Sequence, residues 1–185
     1  MKKIVSLLLV CLVSLGVTAY SKTSLTKVNL ILKMDDGKVG NKFFEEIVEE
    51  DEIEDDETKS EALDRINKEL SFKLREGLHE KSNDLRFGEY EDAPYTVTVY
   101  FLKSNEDGQR ASFRFEVRNN NTGKTESFTK SDRGGTFGSK FNLLGDCLKG
   151  AGKKAAKDIE NIINGKEIRQ EKDNKYVDDI YALQK

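Results

Sequence analysis

The sequence predicts an α+β fold: an antiparallel-rich sheet of about four or five strands, with two long helices packed on one face. Two stretches, near residues 58–78 and 139–164, repeat apolar residues at steps of three and four, which is typical of helices buried on one side. Between them lie short segments of alternating apolar and polar residues, separated by turn residues. Strands and helices that are segregated in this way indicate α+β architecture.

The first predicted strand is "TKVNLILKM", residues 26–34, and it has one mostly polar face. Its apolar positions alternate with the others, as expected for a half-buried strand. One set is Val28, Leu30, Leu32 and Met34, and the other is Lys27, Asn29, Ile31 and Lys33. Asp35, Asp36 and Gly37 end the strand with turn residues.

An acidic segment follows, with ten carboxylates between Glu45 and Glu57. Carboxylates can bind calcium, but a calcium-binding loop needs a glycine turn and regular ligand spacing, and this segment has neither. We interpret it as a solvated acidic loop or a short helix.

The first predicted helix begins at Thr58, which forms a capping box with Glu61. Its apolar stripe then repeats at helical spacing, with charged residues on the opposite side. The stripe consists of Leu63, Ile66, Leu70, Leu74 and Leu78.

A strand-rich block comes next. "DLRFGEY" is a candidate short strand before Pro94, and residues 95–103 are apolar on both faces, as in a central strand. Residues 111–118 alternate cleanly, and "TESFTK" is polar enough for an edge strand. The turns "NEDG" and "NNNTGK" connect the last three strands into an antiparallel meander.

The second predicted helix runs from about Ser139 to Asn164, and Gly165 supplies its C-terminal stop. Glycines inside a helix cost about 1 kcal/mol each relative to alanine. Gly152, with Ala155 and Ala156, therefore indicates close approach of this helix to the sheet or to the first helix.

The chain divides into a signal peptide at 1–19, one α+β domain at 20–164 and a charged tail or short helix at 165–185. Lys2 and Lys3 precede an apolar run that ends in a Val-Thr-Ala cleavage pattern, which is typical of bacterial export. A lipid anchor at Cys11 is disfavoured because the apolar run continues beyond it. We therefore expect an exported protein, periplasmic or extracellular, with no membrane span in the mature chain.

Composition excludes several partners and scaffolds. The chain carries 31 basic and 34 acidic residues. Two of the basic residues lie in the leader, so the mature chain would hold 29 basic against 34 acidic residues, a net charge of −5. An acidic chain lacks the long-range field that gathers nucleic acid. Cys147 alone remains after export, so no disulfide framework is expected.

The stretch "DRGGTFGSK" raises the question of a phosphate-binding loop. It matches neither the P-loop nor the dinucleotide pattern, because Gly138 is followed by Ser139 and Lys140 and no glycine lies five residues earlier. A weaker possibility is an anion held at the helix start by Arg133, Gly138, Ser139 and Lys140.

No catalytic residue, metal ligand or cofactor is predicted. His79 is the single histidine and is interpreted as a partly exposed residue at a helix end. Cys147 lies beside the apolar stripe of the second helix, where a packed thiol is expected rather than a reactive thiolate.

The region from Tyr95 to Ile163 resembles small bacterial envelope proteins related to the N-terminal α/β domains of the curli-secretion channel and of the Tol periplasmic propeller protein. The matching positions are Val117, Asn121, Thr122, Gly123, Lys124, Gly134, Gly135, Ala151, Ala155 and Ala156. The resemblance implies an assembly or adaptor module and no catalytic residues. Many such proteins are lipoproteins, which this leader does not match.

The sequence therefore favours a non-catalytic binding or assembly protein of the bacterial envelope. Its partner, another envelope protein, would contact a sheet edge or the sheet face that carries Arg114, Glu116 and Arg118. The alternative is a small-ligand or anion-binding protein, or a hydrolase, with a pocket near residues 133–140.

Overall fold

The structure is a computed structural model that describes residues 25–34, 46–47, 57–105 and 108–168. In chain order its elements are β1 (Thr26–Lys33), α1 (Lys59–Lys81), β2 (Leu85–Gly88), β3 (Tyr95–Ser104), β4 (Arg110–Asn119), β5 (Thr125–Arg133) and α2 (Lys140–Ile163). The five strands form a single sheet with the order β2-β1-β3-β4-β5. The predicted α+β class is confirmed.

The sheet is mixed rather than purely antiparallel, which refines the predicted fold. The meander β3–β4–β5 is antiparallel as predicted, with β3 central and β5 at the edge. However, β1 is parallel to both β2 and β3, with Val28 opposite Phe87 on one side and Tyr95 on the other. The physical reason is that α1 lies between β1 and β2, and a helical crossover of this kind returns the chain in the same direction.

Both helices pack on one face of the sheet, where the core lies. Along β1, Val28 and Leu32 are buried while Lys27, Ile31 and Lys33 are exposed, so one face of the strand is covered. The fully buried large side chains come from both layers: Phe87, Phe101, Phe113, Phe115, Ile47, Ile66, Leu70, Leu74, Leu78, Leu144, Leu148 and Ile159.

The predicted helix ends are confirmed. Thr58 is the N-cap of α1, and its hydroxyl accepts from the Glu61 amide while the Glu61 carboxylate accepts from the Thr58 amide, which completes the capping box. Ser139 is the N-cap of α2, and Asn164 is its C-cap. Gly165 follows with φ of 68°, a left-handed conformation that glycine adopts without strain.

The backbones of α1 and α2 approach each other closely at two glycines. Each of these glycines faces a backbone carbonyl of the other helix. A Cβ at Gly77 of α1 would collide with the carbonyl of Lys149 on α2. A Cβ at Gly152 of α2 would lie 2.9 Å from the carbonyl oxygen of Leu74 on α1. The predicted close approach at Gly152 is therefore to the first helix.

Some predictions fall outside the described residues. These are the signal peptide with Cys11, most of the acidic segment, part of the "NEDG" turn and the tail after residue 168. Within the residues that the structure does describe, no helix is long and apolar enough to cross a membrane.

Candidate functional site

Both described helices lie on one face of the sheet, and we call the opposite face, which is strongly basic, the open face. Strand register places on it every second residue of each strand, the set that includes Arg114, Glu116 and Arg118. Across the five strands this set contains eight cations and one carboxylate, Glu116. The cations are Lys27, Lys33, Arg86, Lys103, Arg110, Arg114, Arg118 and Arg133.

Charge is thus segregated in a chain that is acidic as a whole. The formal net charge of the chain is −3, yet the strand positions of the open face carry a large positive excess. Lys27 lies 3.8 Å from the Asp92 carboxylate, with both side chains exposed. In the described part of the chain, Lys33, Arg114 and Arg118 make no ion pair with a carboxylate within 4.0 Å.

The middle of the open face is built around Tyr100. Register places Lys33 on one side of Tyr100 and Arg114 on the other, in adjacent strands. The Arg114 guanidinium lies 4.5 Å from the Tyr100 ring centroid, and Lys33 Nζ lies 5.5 Å from it. The ring attracts both cations, but their mutual repulsion is not relieved by a described carboxylate beside them.

Arg114 is fixed by packing rather than by an acidic partner. Its Nε is buried and has no hydrogen-bond partner among the described residues. A buried donor without an acceptor costs free energy, and stacking on Tyr100 partly offsets that cost. The Arg114 charge is therefore held over the Tyr100 ring.

Hydroxyl groups surround the charged positions. Glu116 lies between Thr98 and Ser127 in register, and Arg118 lies between Thr96 and Thr125. Thr125 and Ser127 on the edge strand β5 are exposed. The three residues that sequence reasoning assigned to an interaction face thus lie together on the open face. The other cations were missed, because they lie on other strands and their common face follows only from the strand order and register.

The predicted anion site at 133–140 takes a different form. Ser139 Oγ accepts from the Asn142 amide at 3.3 Å and from Asn142 Nδ2 at 3.1 Å, so it serves as a helix cap. Gly138 has φ of 146°, and Phe137 beside it is 94% exposed. Arg133 belongs to the open face, at the end of β5. In the described residues this loop forms an exposed turn.

A cleft of about 930 Å³ lies elsewhere, between α1 and the edge of the sheet formed by β1 and β2. Leu30, Phe72, Arg75 and Gly88 are among its lining residues, and Asn67 contributes a buried Oδ1 without a described partner. The cleft does not involve residues 133–140, where the alternative prediction placed a pocket.

The side chains of Cys147 and His79 both make hydrogen bonds to backbone groups of the fold. The Cys147 thiol is buried and donates to the Gly108 carbonyl at 3.7 Å, and burial raises its pKa to about 11. The packed-thiol prediction is confirmed. His79 lies in the last turn of α1, where its Nε2 accepts from the Phe87 amide of edge strand β2 at 3.1 Å. No group of three metal-binding side chains occurs within the described ranges.

Stability should fall on acidification because His79 must remain neutral to accept that hydrogen bond. Burial, with Arg75 and Arg86 nearby, lowers the pKa of His79 from its usual 6.5. The unfolded chain therefore takes up the proton first, and the free energy of unfolding falls as the pH drops below 6.5. Urea unfolding across a pH series would measure this loss.

The matched variant is His79→Gln. In this variant the free energy of unfolding should change less with pH below 6.5 than it does in the natural chain. Glu61 and Glu80 have pKa values lowered from 4.5 by their hydrogen bonds, so their contribution is lost at more acidic pH and remains distinguishable. An unchanged slope near pH 6 in His79→Gln would contradict the assignment.

No family model matches the chain, and no curated protein matches it significantly. Among solved structures, a PelC dodecamer from Paraburkholderia phytofirmans shows 9% identity over 71% of this chain and 86% of its own, with a TM-score of 0.36. A Xanthomonas campestris protein of family DUF330 shows 10% identity over 80% of this chain and 89% of its own, with a TM-score of 0.39.

Neither structure is a curli-secretion channel or a Tol propeller protein. The finer resemblance seen in the sequence therefore gains no support. What remains is a weak likeness of fold to other bacterial proteins, and function has to be argued from the open face itself.

Proposed function

We propose that this chain is an exported, non-catalytic binding protein that engages an acidic partner protein of the bacterial envelope through its open face. The observation that carries the proposal is the ratio of eight cations to one carboxylate at the strand positions of that face. Such a surface attracts an acidic partner and repels a basic one. It therefore raises the rate at which the two proteins meet and orients the partner as it docks.

The extent of the face across all five strands supports a macromolecular partner. Its side chains stand along five adjacent strands, so they are spread over a surface rather than gathered at one point. Arg114 and Lys33 are already held against Tyr100, which reduces the side-chain entropy lost when a partner binds. The hydroxyl groups beside them can donate to carboxylates and to backbone carbonyls.

Capture from envelope extracts tests the proposal. We expect the double variant Arg114→Glu/Arg118→Glu to lose the partner that the natural chain retains at low salt, and we expect high salt to release that partner. The control is Lys73→Glu/Lys157→Glu, which changes the net charge equally at exposed positions on the helices. Equal recovery of the partner by both variants would show that the open face is not the binding surface.

A further inference from the structure

We infer that the open face of one molecule receives the acidic segment 45–57 of a second copy of this chain. The inference rests on the proposed function, and it names the partner of the same surface. It makes the chain self-complementary, because one molecule carries both the basic surface and the acidic segment that fits it.

The first argument is charge complementarity. The acidic segment has ten carboxylates within thirteen residues, the densest negative stretch of the sequence, and all but the last of them precede Glu57, which pairs with Arg65. The open face has eight cations and one carboxylate at its strand positions. Three of these cations already have interactions within the chain: Lys27, Lys103 and Arg110. The complementarity therefore depends mainly on Lys33, Arg114 and Arg118. A carboxylate placed beside Tyr100 would contact the two cations that lie over the ring, and charge-assisted hydrogen bonds of this kind are about twice as strong as neutral ones.

The second argument is the position of the segment in its own molecule. Ile47 is 1% exposed and belongs to the core between the sheet and the helices. The Glu57 carboxylate pairs with Arg65 of α1, with Oε2 at 2.9 Å from Nη2. Both points therefore lie on the helix side of the sheet, whereas the open face lies on the opposite side.

The chain between these two points is short. Ten peptide units from Ile47 to Glu57 extend at most about 35 Å, and a run that leaves and returns to the same layer reaches about half that distance outward. This gives the segment little room to pass around the sheet and cover β3 and β4 of its own molecule. The open face of a neighbouring molecule has no such restriction.

The contact would be heterologous, since two different surfaces of the chain meet. Heterologous contacts generate closed rings when the rotation closes and open chains when it does not. The association should also weaken with salt, because it depends on exposed charges.

Sedimentation velocity on the mature chain, over a concentration series at low and high salt, tests the inference. We expect reversible association at low salt that high salt abolishes. A face variant, Arg114→Glu/Arg118→Glu, and a segment variant, Glu49→Lys/Glu50→Lys, should each bind themselves at least about tenfold more weakly. Mixing the two variants should restore a complex, because the reversed charges are again opposite, and this also shows that both variants fold. Lys73→Glu/Lys157→Glu should associate as the natural chain does.

Three results would overturn the inference. One is a monomer at every concentration and salt level, and another is association that neither variant changes. The third is adsorption to phosphatidylglycerol vesicles by a chain that stays monomeric, which would assign the face to a lipid surface. If the chain is monomeric but the face variant alone loses a captured envelope protein, the inference fails while the proposed function stands.

Discussion

Replacing Asp158 by alanine is expected to lower the free energy of unfolding by about 1–3 kcal/mol, because it removes the ion-pair partner of a nearly buried lysine. Lys130 of β5 points into the core side of the sheet, where it is 7% exposed, and its Nζ lies 3.0 Å from Asp158 Oδ2 on α2. Without the carboxylate, Lys130 stays at a nearly buried position with one ion pair fewer. Urea unfolding at neutral pH would measure the loss.

The control is Lys130→Met/Asp158→Leu, which removes both charges and retains apolar volume. Replacing a buried pair in this way is often neutral or stabilising, so the double variant should be far more stable than Asp158→Ala. If Asp158→Ala unfolds at the same urea concentration as the natural chain, the pair is solvated in solution and the burial argument is wrong.

Gly77→Ala is expected to destabilise the fold by about 1–3 kcal/mol, although alanine is the better helix former. The added methyl group would collide with the Lys149 carbonyl, which is backbone and cannot rotate away, so α1 and α2 must separate. Separation loosens the packing along the whole interface. Thermal unfolding followed by circular dichroism would measure the change.

Gly145→Ala is the matched control in α2. A Cβ there would lie 3.6 Å from Lys73 Cγ and 3.8 Å from Leu70 Cδ2, which is ordinary contact, so the substitution should stabilise the fold by up to about 1 kcal/mol.

Gly152→Ala affects the same helix crossing as Gly77→Ala. The double variant Gly77→Ala/Gly152→Ala should therefore cost less than the two single costs combined, because one separation relieves both collisions. If the cost of the double variant equals the sum of the two single costs, the two glycines do not act at the same helix crossing.

The helices and the meander could be predicted because their determinants are local. The capping box at Thr58 and Glu61 depends on residues three apart, and both were identified from the sequence alone. The bounds of α2 were likewise fixed by Ser139 and by Gly165 just after the helix. The strands of the meander are joined by short turns, so their order followed from their sequence.

The parts that were missed depend on contacts between separate elements. Gly77 interrupts a helical stripe, and only the position of Lys149 on the other helix explains it. The bond from the Phe87 amide to His79 spans only eight residues, but it joins a helix end to a strand edge, and no local motif predicts that pairing. The parallel pairing of β1 did have a signal, since a strand, a long helix and a second strand form a crossover unit.

The open face also depends on how separate strands are arranged, so the sequence showed only part of it. Arg114, Glu116 and Arg118 were grouped because they alternate within one strand. Lys33 and Tyr100 joined them only when register placed β1 beside β3. A surface assembled from five strands becomes visible once their order is known, so the collective charge could not be read from any single segment.

β1 lies inside the sheet between β2 and β3, and this position has a consequence for how the chain acquires its structure. Val28 pairs with Phe87 and with Tyr95, so the earliest strand has no neighbour until much of the later sequence is present. The meander β3–β5 has close partners in sequence and can form early, whereas closing the sheet around β1 requires contacts of high sequence separation, which are slow to form. When the chain emerges from its N-terminus, the apolar side of this strand would stay uncovered longest, and it is the segment where assistance by a chaperone would matter most.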